Sequence, residues 1–184
     1  MGKRSDFDRI PKDLYQTWDP RAVAPLLPHL GPHTRYAEPC CGEGALIKQL
    51  EAAGHFCTWA SDIEDRNYPI TIAGAWVKHV VTEIDALNVT TPLRTADMII
   101  TNPPYKKEIL FPMLDHFIKQ NRSWLLLQAD FMHNVGSAPF LKYCSKIVSV
   151  GRVKWIPGTK SGGKENSAWY RFETRECETV FIGR

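Results

Sequence analysis

Residues 34–54 read Thr34-Arg35-Tyr36-Ala37-Glu38-Pro39-Cys40-Cys41-Gly42-Glu43-Gly44-Ala45-Leu46-Ile47-Lys48-Gln49-Leu50-Glu51-Ala52-Ala53-Gly54, and their order decides the fold. A short strand over 34–37 leads into a glycine turn. After it Leu46, Ile47, Leu50 and Ala53 recur at helical spacing up to Gly54, which reads as a C-cap. The alternation continues outward. Residues 55–61 read as a second strand ending at Asp62, and 80–84 as a third ending at Asp85. A fourth, 96–101, carries Met98-Ile99-Ile100 and stops at Asn102-Pro103-Pro104-Tyr105, where two prolines forbid further ladder bonds. Leu110, Met113, Leu114, Phe117 and Ile118 then keep a helical stripe, with Pro112 expected in that helix's first turn. Trp124-Leu125-Leu126-Leu127 is apolar without alternation, as in a strand covered on both faces. Strands alternating with helices imply an α/β fold with a mostly parallel, doubly wound sheet. Past residue 145 only short strands remain, at 147–155, 168–172 and 179–182, which predicts an antiparallel C-terminal edge.

The 184 residues amount to about one domain. We divide it into an N-terminal segment (1–33), an α/β core (34–145) and antiparallel strands with a basic loop (146–184), with no separate recognition domain. At 43% hydrophobic and 23% charged residues, the chain is too apolar for disorder and too varied for a coiled coil. No apolar stretch reaches the roughly 18 residues that cross a bilayer, and the first ten residues lack the apolar core of a secretory signal. A soluble, cytoplasmic protein without a membrane partner is expected. The five cysteines are odd in number and form no CxxC, and the six histidines show no repeated ligand spacing, so no metal is expected. The net charge of +3 is unevenly placed: residues 1–150 hold 16 Lys/Arg and 16 Asp/Glu, residues 151–184 seven and four. Arg152, Lys154, Lys160 and Lys164 surround a glycine-rich run, a composition that suits a phosphate backbone.

In such sheets ligands bind beyond the carboxyl ends of the strands. Gly42 and Gly44 would let backbone N–H groups approach a ligand at a helix N-terminus. Asp62, some 20 residues on, is placed to accept ribose hydroxyls. Together these parts describe a site for a nucleoside-bearing cofactor.

The first loop (Glu38 to Gly44), followed by Asn102-Pro103-Pro104-Tyr105, resembles the class I S-adenosylmethionine-dependent methyltransferases that modify exocyclic amines. The resemblance is strongest to the small DNA adenine-N6 enzymes of phage and bacterial type, and covers nearly the whole chain. It implies a Rossmann-like methyltransferase fold, S-adenosylmethionine as cofactor and DNA as partner. By the same resemblance Tyr15 and Thr17 belong to an N-terminal cofactor segment, in which Trp18-Asp19-Pro20 stands where the family has a proline. Glu38, Pro39, Cys40, Gly42 and Gly44 would contact the methionine part of the cofactor, Asp62 its ribose, Asp85 its adenine, with Asn102 beside the methyl group. The region Glu165-Asn166-Ser167-Ala168-Trp169-Tyr170 would wall the target-base pocket, with Trp155 or Trp169 as a second stacking face. Arg152, Lys154, Lys160, Lys164, Asn166 and Trp155 are thus the expected nucleic-acid contacts.

The chemistry assigned to Asn102, Pro103, Pro104 and Tyr105 has its own physical basis. An aromatic amine is a poor nucleophile because its lone pair is delocalised into the ring. An Asn102 side-chain oxygen and a Pro103 carbonyl that accept its two N–H bonds draw the nitrogen toward tetrahedral geometry. Tyr105 would stack on the base, an interaction worth roughly 1 to 3 kcal/mol. The same tetrapeptide suits adenine or guanine amines of RNA and the glutamine amide of proteins, and a catalytically silent nucleic-acid binder would keep the sheet and the basic loop. The short C-terminal part leaves target specificity to relaxed recognition, a homodimer or that loop.

Overall fold

The computed structural model describes residues 15–64, 83–156 and 163–184. Its strands are β1 Arg35–Glu38, β2 Phe56–Ala60, β3 Met98–Thr101, β4 Ser123–Gln128, β5 Cys144–Arg152, β6 Asn166–Phe172 and β7 Val180–Ile182. They form one sheet in the order β2-β1-β3-β4-β6-β5-β7. The first four pair in parallel. β6 runs antiparallel to both β4 and β5, and β7 is parallel to β5. The expected mostly parallel α/β sheet is therefore present, with its antiparallel pairing on the C-terminal side and carried by β6. Of the expected strand 80–84, residues 80–82 lie outside the described residues. Glu83 has a left-handed φ of +58°, and Ile84 donates its N–H to the Asp62 carbonyl at 3.2 Å.

The helices are α1 Pro20–Val23, α2 Ala45–Ala52, α3 Thr91–Thr95, α4 Lys107–Gln120 and α5 Ala138–Leu141. The two faces of the sheet carry separate cores. Trp124 and Leu126 of β4 pack with Leu46, Ile47 and Leu50 of α2 on one face. Leu125 and Leu127 pack with Leu114 and Phe117 of α4 on the other. Successive strand residues point to opposite faces, so a strand buried on both needs an unbroken apolar run. Trp169 also belongs to this interior. It is fully buried and its Nε1 donates to the Ala22 carbonyl at 2.6 Å, which removes it from the stacking role expected of it.

The proline expectation is corrected. α4 begins at Lys107, so Pro112 sits in its second turn and leaves the Glu108 carbonyl without a helical donor. Both residues line an open cleft, where water can serve that carbonyl, and the interruption is tolerated there. No helix among the described residues is long and apolar enough to cross a membrane.

Candidate active site

β2 lies on one side of β1 and β3 on the other, so the strand order reverses at β1 and a crevice opens beyond Glu38 and Thr101. A cleft of about 790 Å³ fills it. Of the residues assigned to the cofactor, Tyr15, Thr17, Glu38, Pro39, Cys40, Gly42, Asp62, Asp85 and Asn102 line this cleft, and Gly44 does not.

Glu38 ends β1 with 1% of its surface exposed, and its Oε2 has no hydrogen-bond partner among the described residues. Burial, reinforced by the neighbouring Asp62 charge, raises its carboxyl well above the usual range. Cys40 and Cys41 beside it are held protonated, again chiefly by burial, which suits packing residues and not nucleophiles.

Gly42 has φ +51°, and a Cβ built there would lie 2.5 Å from Gln16 Nε2. The left-handed turn favours glycine, and a side chain there would also have to displace the Gln16 amide. Its N–H donates to Asp62 Oδ2 at 2.7 Å, while Glu64 N–H donates to Asp62 Oδ1 at 3.1 Å. The Gly44 N–H donates to the Cys41 carbonyl at 2.8 Å. The glycine N–H groups expected to face a ligand are therefore used to shape the loop, and Asp62 is the post to which the loop is tied. Asp85 plays a similar local part, its Oδ1 accepting the Leu87 N–H at 2.9 Å to cap the turn Ala86–Asn88.

Asn102 follows β3. Its Nδ2 donates to the Tyr15 carbonyl at 3.0 Å and to Thr17 Oγ1 at 3.2 Å. A carbonyl can only accept, so the amide orientation is fixed and Oδ1 is the acceptor left for the cleft. The segment that holds Asn102 is itself fastened at several points. Gln49 Nε2 of α2 donates to the Thr17 carbonyl, and Gln16 lies against Gly42. Asp19 caps α1, pairs with Arg21, and accepts the Lys154 N–H at 3.0 Å.

Pro103 and Tyr105 are not among the residues that line this cleft, and Tyr105 borders a second recess, between α4 and the turns after β4. The Tyr105 ring meets Trp155 edge-on, with centroids 6.4 Å apart at 82°, and Trp155 meets Tyr15 likewise at 6.4 Å and 65°. Trp155 is therefore the tryptophan that reaches the tetrapeptide. Burial raises the Tyr105 hydroxyl, with the Glu165 charge adding to it. Arg152, Lys164 and Asn166 are exposed and Lys154 is half-buried, around the ends of β5 and β6. Lys160 lies outside the described residues.

Sequence reasoning passed over the apolar rim of the cleft. Ile63, Leu87 and Ile109 line it while 62%, 38% and 41% exposed. Two of them stand one and two residues after the carboxylates Asp62 and Asp85, and that adjacency was the available signal.

No protein-family model and no curated protein matches the sequence. Solved structures do resemble this one. A protein of Listeria monocytogenes described as a class I S-adenosylmethionine-dependent methyltransferase superposes with a TM-score of 0.65 at 15% identity, over 95% of this chain and 67% of the other. One of Pyrococcus horikoshii described as an RNA methyltransferase gives 0.56 at 18%, over 85% and 81%. One of Vibrio vulnificus described as a modification subunit of a type I restriction enzyme gives 0.58 at 14%, over 94% and 48%, so this chain spans about half of that protein's length. At these identities the likeness establishes the fold, that of the class I S-adenosylmethionine-dependent methyltransferases.

Proposed function

We propose that this protein transfers a methyl group from S-adenosylmethionine to the exocyclic N6 amine of adenine in DNA by direct in-line displacement. The observation that carries the reading is the oriented amide of Asn102, whose one free acceptor opens on the same cleft as an unpartnered buried carboxyl, Glu38 Oε2.

The residues present fit the cofactor. Glu38 Oε2 is placed for a cationic amine, which would satisfy an otherwise orphaned buried atom. Gly42 and Gln16, packed against each other, both line the cleft. Asp62 lines the cleft with a carboxylate, an acceptor of the kind that ribose hydroxyls require. Ile63 and Leu87 offer exposed apolar surface to a purine, with Asp85 at its edge. S-adenosylmethionine bound there supplies a methyl group on a positively charged sulfur, an activated leaving group. Asn102 Oδ1 and the Pro103 carbonyl would accept the two N–H bonds of the target amine and aim its lone pair at that carbon, and Tyr105 with Trp155 would flank the base. In duplex DNA the base must first leave the stack.

The test is incubation with tritiated S-adenosylmethionine and DNA, RNA or cell lysate, followed by mass spectrometry of the nucleosides. N6-methyladenine in DNA is the expected product. Asn102→Ala should abolish transfer while cofactor binding survives; unchanged turnover would defeat the amine-alignment role. A second reading, an adenine or guanine amine of RNA, is favoured by the more complete mutual coverage with the Pyrococcus horikoshii protein, and methylated ribonucleosides would select it.

A further inference from the structure

The second recess, of about 310 Å³, lies between the first turns of α4 and the turns that follow β4. Tyr105, Lys107, Phe111, Gln128, Asn134 and Val135 are among the residues that line it. Val135 stands on its rim with 93% of its surface exposed, well above the 62% of Ile63, the next most exposed large apolar side chain among the described residues.

The backbone beneath this valine is fixed. Ser137 Oγ, on a fully buried serine, lies 2.6 Å from both the Phe131 and Asn134 carbonyls, and Ser137 N–H donates to the Asn134 carbonyl at 3.0 Å. Gly136 is packed so closely that a Cβ there would stand 3.1 Å from Phe111 Cε2 and 3.2 Å from Lys107 Nζ. The Lys107 ammonium itself sits 5.2 Å from the centre of the Phe111 ring. A rigid knuckle therefore presents an apolar, β-branched side chain to water, with a cation at its base and Tyr105 across the recess. Valine contributes nothing to the core in that place, and single exposed apolar residues are ordinary. What distinguishes this one is its rigid support, its cation and the recess it shares with the tetrapeptide.

We propose that the knuckle Asn134-Val135-Gly136 is a wedge for double-helical DNA. Val135 enters the base stack where the target nucleotide has left it, and Lys107 takes the adjacent backbone phosphate. The proposal rests on the methyltransferase reading above and adds the device that makes duplex a substrate. An apolar side chain inserted between base steps offsets the unstacking that extrusion of a base requires. A lysine at the rim supplies the sequence-independent attraction that holds the strand against it.

The test compares native plasmid DNA with the same DNA heat-denatured, using tritiated S-adenosylmethionine. Val135→Ser should lower kcat/KM on duplex about tenfold and leave the denatured form within about twofold, because a single strand has no stack to refill. Val135→Leu, which keeps the apolar bulk, should retain duplex activity. Lys107→Ala should reduce the salt slope of duplex binding by about one unit. Equal loss on both DNA forms, or no loss on duplex, overturns the wedge and leaves the methyltransferase reading standing. Transfer by the wild-type protein to neither form overturns that reading, and the wedge with it.

Discussion

Glu38 presents a carboxyl that burial holds protonated far above its ordinary range, with Oε2 unpartnered and Asp62 adding a like charge nearby. A carboxyl whose pKa is raised by folding supports the native state at low pH, and that support is lost as pH rises through the raised value. A cation brought to Oε2 reverses the preference and releases the proton. We therefore expect cofactor binding to liberate a proton from Glu38 at pH values between its ordinary and its raised range, and affinity to rise with pH through that range while the cofactor's amine stays charged. Calorimetry in buffers of different ionisation enthalpy should show this as a slope in the apparent binding enthalpy, and Glu38→Gln should abolish the slope. Equal slopes in the two proteins would remove Glu38 from the cation site. The Asn102 side chain makes the complementary point about polarity at this scale. Its donors are consumed by Tyr15 and Thr17, so what it offers the cleft is an acceptor, as alignment of an amine requires.

At the scale of elements, the segment from Tyr15 to Asp19 behaves as a strap across the sheet's carboxyl edge. It touches Asn102, Gly42 and α2, and through Asp19 it holds the end of β5. The Asp19 carboxyl is lowered to about 2, mainly by the Arg21 side chain, against an opposing cost of burial, with the Lys154 and Arg21 backbone N–H groups adding to it. Its stabilising contribution is complete above the ordinary value of 3.8 and is lost as pH falls toward about 2. At roughly 1.4 kcal/mol per unit this is about 2 kcal/mol. Urea unfolding should show the native protein losing about that much more stability than Asp19→Asn between those pH values; parallel curves would show that the strap does not depend on the charge. The strap also marks where sequence reading ended. Helical stripes and the apolar run of β4 were legible because local periodicity reports burial directly. The partner of Asp19 lies 135 residues away, and nothing in the Trp18-Asp19-Pro20 departure points to Lys154. The start of α4 was misplaced for a related reason. Lys106 at its N-cap makes no side-chain cap bond, which left Pro112 as the conspicuous but misleading start signal.

At the scale of the whole molecule, charge and topology converge on one edge. The carboxyl ends of β1 and β3 open the cleft, and the strap draws the end of β5 to the same side, so Lys154 and Trp155 come beside the tetrapeptide. Of the seven Lys/Arg in 151–184, Arg152, Lys154 and Lys164 stand around the end of β5 and the start of β6 on this side, whereas Arg171 pairs opposite Trp124 and Lys146 at the other edge of the sheet. A phosphate backbone lying along this edge would displace counterions from each lysine it meets, and each such contact steepens the salt dependence of binding by about 0.9 units. Lys154, Lys160 and Lys164 changed together to Ala should flatten the slope of log affinity against log salt for a DNA duplex by about two to three units. Cofactor affinity should stay unchanged, because Lys154 meets the strap through its backbone N–H and neither Lys154 nor Lys164 lines the cleft. An unaltered slope would place the nucleic acid elsewhere and leave these lysines as solvated surface.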